Sequence, residues 1–127
     1  MTPAVPSVLY ELAQLLVRNA APGVPDAERA NALTLSSMLL VLAAEVWDGA
    51  ADNLVRENRA LATLLDEVAA EDDLRLTTLR AENARLRGLL ITVQTAAEAA
   101  GDIPRQNAIW AELRASTERR LLSISLV

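Results

Sequence analysis

The residues with the plainest chemical capacity in this chain are carboxylates. Glu45, Asp48 and Asp52 stand at i, i+3 and i+7, so one helix would present them from neighbouring turns. Hard cations such as Mg²⁺ and Ca²⁺ take oxygen ligands, which makes the trio a candidate ligand set. Nothing else in the sequence converges on it, and Asp52 has Arg56 four residues on as an ion-pair partner. A solvated face is the expectation, with no metal. Asp72 and Asp73 read more simply as a helix cap. The three aromatics, Tyr10, Trp47 and Trp110, have the composition of a ligand pocket, but Trp47 belongs to an apolar heptad series and core packing is favoured. There is no Cys and no His, and all 12 basic residues are Arg. This composition excludes disulfides, Cys/His zinc sites, Cys–His or Ser–His nucleophile pairs and lysine Schiff bases. No pair of carboxylates is set apart for acid–base work. The expectation is a protein that is not an enzyme and has no cofactor.

Two amides carry a different kind of chemistry. Residues 54–65 and 79–90 both fit Leu-x-x-Glu-Asn-x-x-Leu-x-x-Leu-Leu, six matches in twelve positions. In each copy the Asn, Asn58 or Asn83, falls inside an apolar seam. If the chain reverses midway between Ala70 and Glu71, each Asn lies 12.5 residues from the turn and the two stand at the same height. An amide donates and accepts at once, so facing Asn side chains can satisfy one another. A lone buried amide would cost about 1–3 kcal/mol. The pair Asn58–Asn83 is therefore a candidate buried register lock. The competing arrangement leaves both in solvent or a water-filled gap.

Those positions require helices, and the sequence supplies the punctuation. Pro3, Pro6, Pro22 and Pro25 crowd the start, and Pro104 is the only other proline, so residues 26–103 are free to run as long helices. A first helix is expected over about residues 7–20, capped by Ser7 and ended by Pro22-Gly23. A second spans 26–69 from an Asp26 cap. Its heptad series reads Leu33, Leu40, Trp47, Leu54, Leu61 and Val68 at d, with Ser37, Ala44, Ala51, Asn58 and Leu65 at a. The series then slips by four, either a stutter in one helix or a chain reversal at 70–72; reversal is favoured because Glu71-Asp72-Asp73 suits a cap better than a helix interior. A third helix spans 72–100 and stops at Gly101; a fourth runs over 105–123, with Ile109, Leu113 and Leu121 on one side. The expected fold is all-α: a single domain, 1–127, forming an elongated antiparallel bundle of about four helices with one long central helix.

The apolar content is uneven. Residues 1–44 carry five charged groups and residues 45–127 carry 24. From Leu54 to Val68 the second helix is amphipathic, with Arg56, Glu57, Arg59, Asp66 and Glu67 outward. From Leu33 to Leu42 it is apolar all round, and such a helix needs cover all round. At 1.5 Å per residue the second helix would measure about 66 Å, against a radius of gyration of about 14 Å for a compact domain of this size. A short first helix covers one side of the apolar section. The remainder, Leu33, Leu35, Met38, Leu39, Val41, Leu42 and Val46, is the expected interface of a homodimer, built as an intermolecular four-helix bundle. The competing arrangement breaks the second helix near Gly49 and folds it back.

The formal net charge of −5 with scattered arginines argues against nucleic acid. The uncharged run Ala30–Ala44 has 15 residues, short of the about 20 that a bilayer span needs. No secretory signal is visible, and the expected location is cytoplasmic; an Ala- and Arg-rich chain without Lys suggests a bacterial, GC-rich source. The terminal Ser125-Leu126-Val127 has the form of a strand-addition ligand, although docking on the bundle itself is preferred. The functional expectation is a non-enzymatic interaction or assembly module of adaptor or chaperone-like type, its partner a second copy or another protein. The alternative is a small-molecule sensor with a pocket near Met38, Leu42, Trp47 and Trp110.

Overall fold

A computed structural model describes residues 4–122; the Ser125–Val127 terminus lies outside the described residues. Four α-helices follow one another, α1 Val5–Leu15, α2 Ala27–Leu65, α3 Leu76–Ala100 and α4 Ile103–Arg119, with no strand among the described residues. Contacts within the chain divide it into two units, one up to Gly49 and one from Ala50 to Leu121. Helix α2 runs through Gly49 without a break. A single glycine costs a helix about 1 kcal/mol relative to Ala, too little to end it here.

In the first unit α1 starts earlier than Ser7. Its N-cap is Ala4, no side chain caps it, and Pro6 sits in the first turn. Pro lacks the amide that a cap would satisfy and has φ preset for a helix, so Ser7 is not needed as a cap. After Leu15 the helix widens into a π-type turn over Leu16–Ala20, where the Ala21 amide reaches back to the Leu16 carbonyl, and tightens over Ala21–Gly23. Pro22 accounts for the widening: its ring clashes with the carbonyl four residues back and it has no amide to give. Asp26 caps α2 as the sequence suggests, its Oδ1 accepting from the Glu28 amide at 2.9 Å. Small residues join α1 to α2. Ala13 is buried, and the buried Ser37 Oγ donates to the Ala13 carbonyl at 2.9 Å.

The second unit is a three-helix bundle of α2 from Ala50 onward, α3 and α4. Leu61, Ala62, Leu86, Leu90 and Ile109 form its buried core, with Leu64, Leu65, Val93 and Leu113 packed against them. Helix α2 stops at Leu65, three residues before Val68, the last position of the heptad series. Asp66 adopts a left-handed φ of 56°, with the Glu67 amide bonded to the Ala62 carbonyl (2.8 Å) and the Asp66 amide to that of Thr63 (3.4 Å). These are the paired bonds of a Schellman stop. The chain reverses over residues 66–75, and Val68 lies in that loop, exposed. Asp73 organises the loop's end: Oδ1 accepts from the Arg75 amide, the Arg75 guanidinium grips both oxygens, and Thr78 Oγ1 donates to Oδ2. Helix α3 therefore begins at Leu76 and not at Asp72. It ends in a second Schellman stop at Gly101, φ 65°, and Asp102 caps α4 by accepting from the Arg105 amide at 3.1 Å. Helix α4 ends at Arg119, so Leu121 is exposed beyond it and not on the core side.

Candidate functional site

The Glu-Asn pair of each sequence echo lies inside the second unit. Asn83 Nδ2 donates to Asn58 Oδ1 at 2.9 Å, and Asn58 Nδ2 donates to the Leu79 carbonyl at 3.1 Å. Both amides are buried. Of the twelve echo positions eight are buried and none is exposed. The echo thus marks inward positions, the glutamates included.

Glu57 departs most from the sequence reading, which placed it outward. It is 3% exposed and is the hub of a polar cluster. Its Oε1 accepts from Asn83 Nδ2 (3.1 Å), Arg87 Nη2 (2.5 Å) and Arg120 Nη2 (2.7 Å). Its Oε2 accepts from Ser116 Oγ (3.1 Å) and from Arg120 Nη2 (2.7 Å) and Nε (3.2 Å). Arg87 Nε also donates to Asn83 Oδ1 at 3.1 Å. One carboxylate on α2 is thereby held by α3, by α4 and by the residue that follows α4. Burial pushes the Glu57 carboxyl up, but hydrogen bonds from Arg120, Arg87 and Asn83 outweigh it and hold it down at about 2. A carboxylate fixed that low, with both oxygens saturated, is unsuited to proton transfer near neutrality. The cluster is a clasp between helices.

Glu82, the echo's second glutamate, ties the loop instead. It accepts from the Ala70 amide at 3.2 Å and from Arg85 at 2.9 Å, and the Arg85 guanidinium holds its carboxyl below the usual range. Arg59 grips Glu71 through Nε–Oε1 (2.5 Å) and Nη2–Oε2 (2.7 Å).

The first unit has a different character, because much of its apolar surface is uncovered. Of the expected interface residues, Leu42 is buried, Leu33, Met38 and Val41 are half-buried, and Leu35, Leu39 and Val46 are exposed. Trp47 is 54% exposed, against its assignment to the core, while the small a-position residues Ser37 and Ala44 are buried. On α1, Val5, Val8, Leu12 and Leu15 form an exposed stripe at spacings of three, four and three. Helix α2 is long and apolar enough, by length and composition, to cross a membrane: its most apolar 18-residue window has mean hydropathy 1.5, and 17% of that window is buried.

The expected ligand sites fare differently. A cavity of about 230 Å³ in the first unit is lined by Tyr10, Ala13, Gln14, Val17, Arg18, Ser37 and Val41, which includes none of Met38, Leu42 and Trp47. Trp110 is exposed on α4 in the second unit. Among the described residues no three carboxylates gather closely enough to hold a metal ion, and Arg56 Nη1 lies 3.7 Å from Asp52. Compared with protein-family models, with curated proteins and with solved structures, the chain matches none.

Proposed function

We propose that this chain is a non-enzymatic assembly module that works as a homodimer, its first unit providing the interface and its second a stiff, clasped bundle that presents the assembly to other proteins. The observation that carries this reading is the uncovered apolar surface of the first unit, the α1 stripe Val5, Val8, Leu12, Leu15 together with Leu35, Leu39, Val46 and Trp47 on α2. Exposed apolar area of this extent on one small unit marks an interaction surface. The three-four-three spacing on α1 is that of a seam into which a second helix packs, knob into hole. Lipid is the weaker occupant. Asp26, Glu28 and Arg29 stand where α2 begins, after the connection from α1, and a hairpin entering a bilayer would carry these charges inward at a cost in free energy.

Sedimentation equilibrium tests the reading. The expected result is a species of twice the 13.7 kDa chain mass, shifted to the monomer by Leu35→Glu with Leu39→Glu at unchanged helicity. A 13.7 kDa species at micromolar concentration, or unaltered assembly in the double variant, rules it out.

A further inference from the structure

Beside the Glu57 clasp the second unit has a cleft of about 470 Å³ lined by Arg87, Leu113, Ser116, Thr117, Arg120 and Leu121. Two guanidiniums share the one Glu57 carboxylate there, so the clasp carries an excess positive charge. Arg87 engages Nε and Nη2 with Glu57, Asn83 and Ser116, and Arg120 engages Nε and Nη2 with Glu57. Among the described residues neither Nη1 group has a hydrogen-bond partner, and the two side chains are 37% and 54% exposed. The cleft therefore offers donors already fixed in place by a buried anion, within reach of solvent. Ordering a long arginine side chain is a main cost of binding at a surface, and here Glu57 has already met it. Leu113 and Leu121 add an apolar wall beside the donors.

We propose that this cleft binds an oxyanion carried on a short aliphatic arm. The Nη1 groups of Arg87 and Arg120 donate charge-assisted bonds to the anion's oxygens, and the arm lies against Leu113 and Leu121. The inference is independent of dimerisation, since every residue in it belongs to the second unit.

The test is titration of the full chain with acetate, hexanoate and inorganic phosphate at constant ionic strength, followed by NMR of the arginine Nε–Hε signals. Saturable shifts confined to Arg87 and Arg120 are expected, with dissociation constants on the order of 1 mM. Hexanoate should bind at least threefold tighter than acetate if the leucines receive the arm. Phosphate tighter than acetate assigns the head to a phosphate ester, and the reverse order to a carboxylate. Arg120→Gln should weaken binding at least fivefold, whereas Arg80→Gln, an exposed arginine outside the cleft, should leave it unchanged. Shifts that stay linear, or that appear equally at Arg80 and Arg105, overturn the proposal, as does equal affinity for acetate and hexanoate. The NMR readout on the parent protein decides the matter even if Arg120→Gln does not fold.

Discussion

Replacing Glu57 with Gln keeps the size of the side chain and removes its charge, leaving Arg87 and Arg120 around a neutral group. The carboxyl sits at about 2 in the folded chain against an ordinary 4.5, which corresponds to a ceiling of about 3 kcal/mol of stability. Both arginines are more than one-third exposed, and solvent screening reduces this to about 2 kcal/mol. For a small domain that is a loss of about 10 °C in Tm. The sign follows from the depressed folded value: the contribution is complete above pH 4.5 and disappears as pH falls toward about 2. By pH 3 less than half of it remains. Urea unfolding in a Trp47→Phe background, with Trp110 as the reporter on α4, measures it at fixed protein concentration. Glu57→Gln should lower the midpoint at pH 7 without changing the slope, and the gap from parent should shrink by more than half at pH 3. An equal gap at both pH values, or none at pH 7, would show that the clasp's charge does not stabilise the bundle.

The amide pair lends itself to a double-mutant cycle on Asn58→Leu and Asn83→Leu. Each single change should cost about 1–3 kcal/mol by stranding a buried partner, while the double variant should cost less than the sum by at least about 0.5 kcal/mol; strict additivity in urea midpoints counts against a direct Asn–Asn bond. Two glycines should respond in opposite directions, although neither has a neighbour within 4 Å of the position a Cβ would take. Gly88→Ala in the exposed interior of α3 should raise stability by about 1 kcal/mol, and Gly101→Ala at φ 65° should lower it by about 1–2 kcal/mol. Thermal melts of both variants check this, and shifts of the same sign would contradict it.

What the sequence disclosed and what it concealed divide along the range of the interactions. Short-range signals were legible. Asp26 caps α2, Gly101 stops α3, and the repeated Glu-Asn motif set Asn58 and Asn83 at one height. The stop at Asp66 was not, because it uses an aspartate in a left-handed conformation where the sequence pattern looks for glycine. Heptad counting therefore carried α2 on to Val68. Glu57 was misplaced for a different reason. It occupies a g position, which borders a two-helix seam but is internal once a third helix packs on that side, and its partners Ser116 and Arg120 lie 59 and 63 residues away. No local pattern announces such a partner, although the matched Glu57 and Glu82 in two copies of one motif were a signal that these glutamates share the environment of their neighbours. In the first unit the heptad positions were correct as a face but not as a core. Small residues at a are buried there while Trp47 at d is exposed.

The two Schellman stops, at Asp66 and Gly101, have a consequence for how the second unit assembles. Each hairpin starts from a stop made by bonds between residues three and five apart, so most of the bundle's contacts are local in sequence and search little conformational space. Helical bundles of low contact order fold in microseconds to milliseconds. The bonds that Glu57 accepts from Ser116 and Arg120 are exceptions, the longer spanning 63 residues and closing a loop around nearly the whole unit. A bond of that separation forms after the hairpins are in place. Weakening it is then expected to speed unfolding in stopped-flow measurements while leaving the folding rate almost untouched. The clasp is expected to set how long the bundle stays folded, not how quickly it gets there.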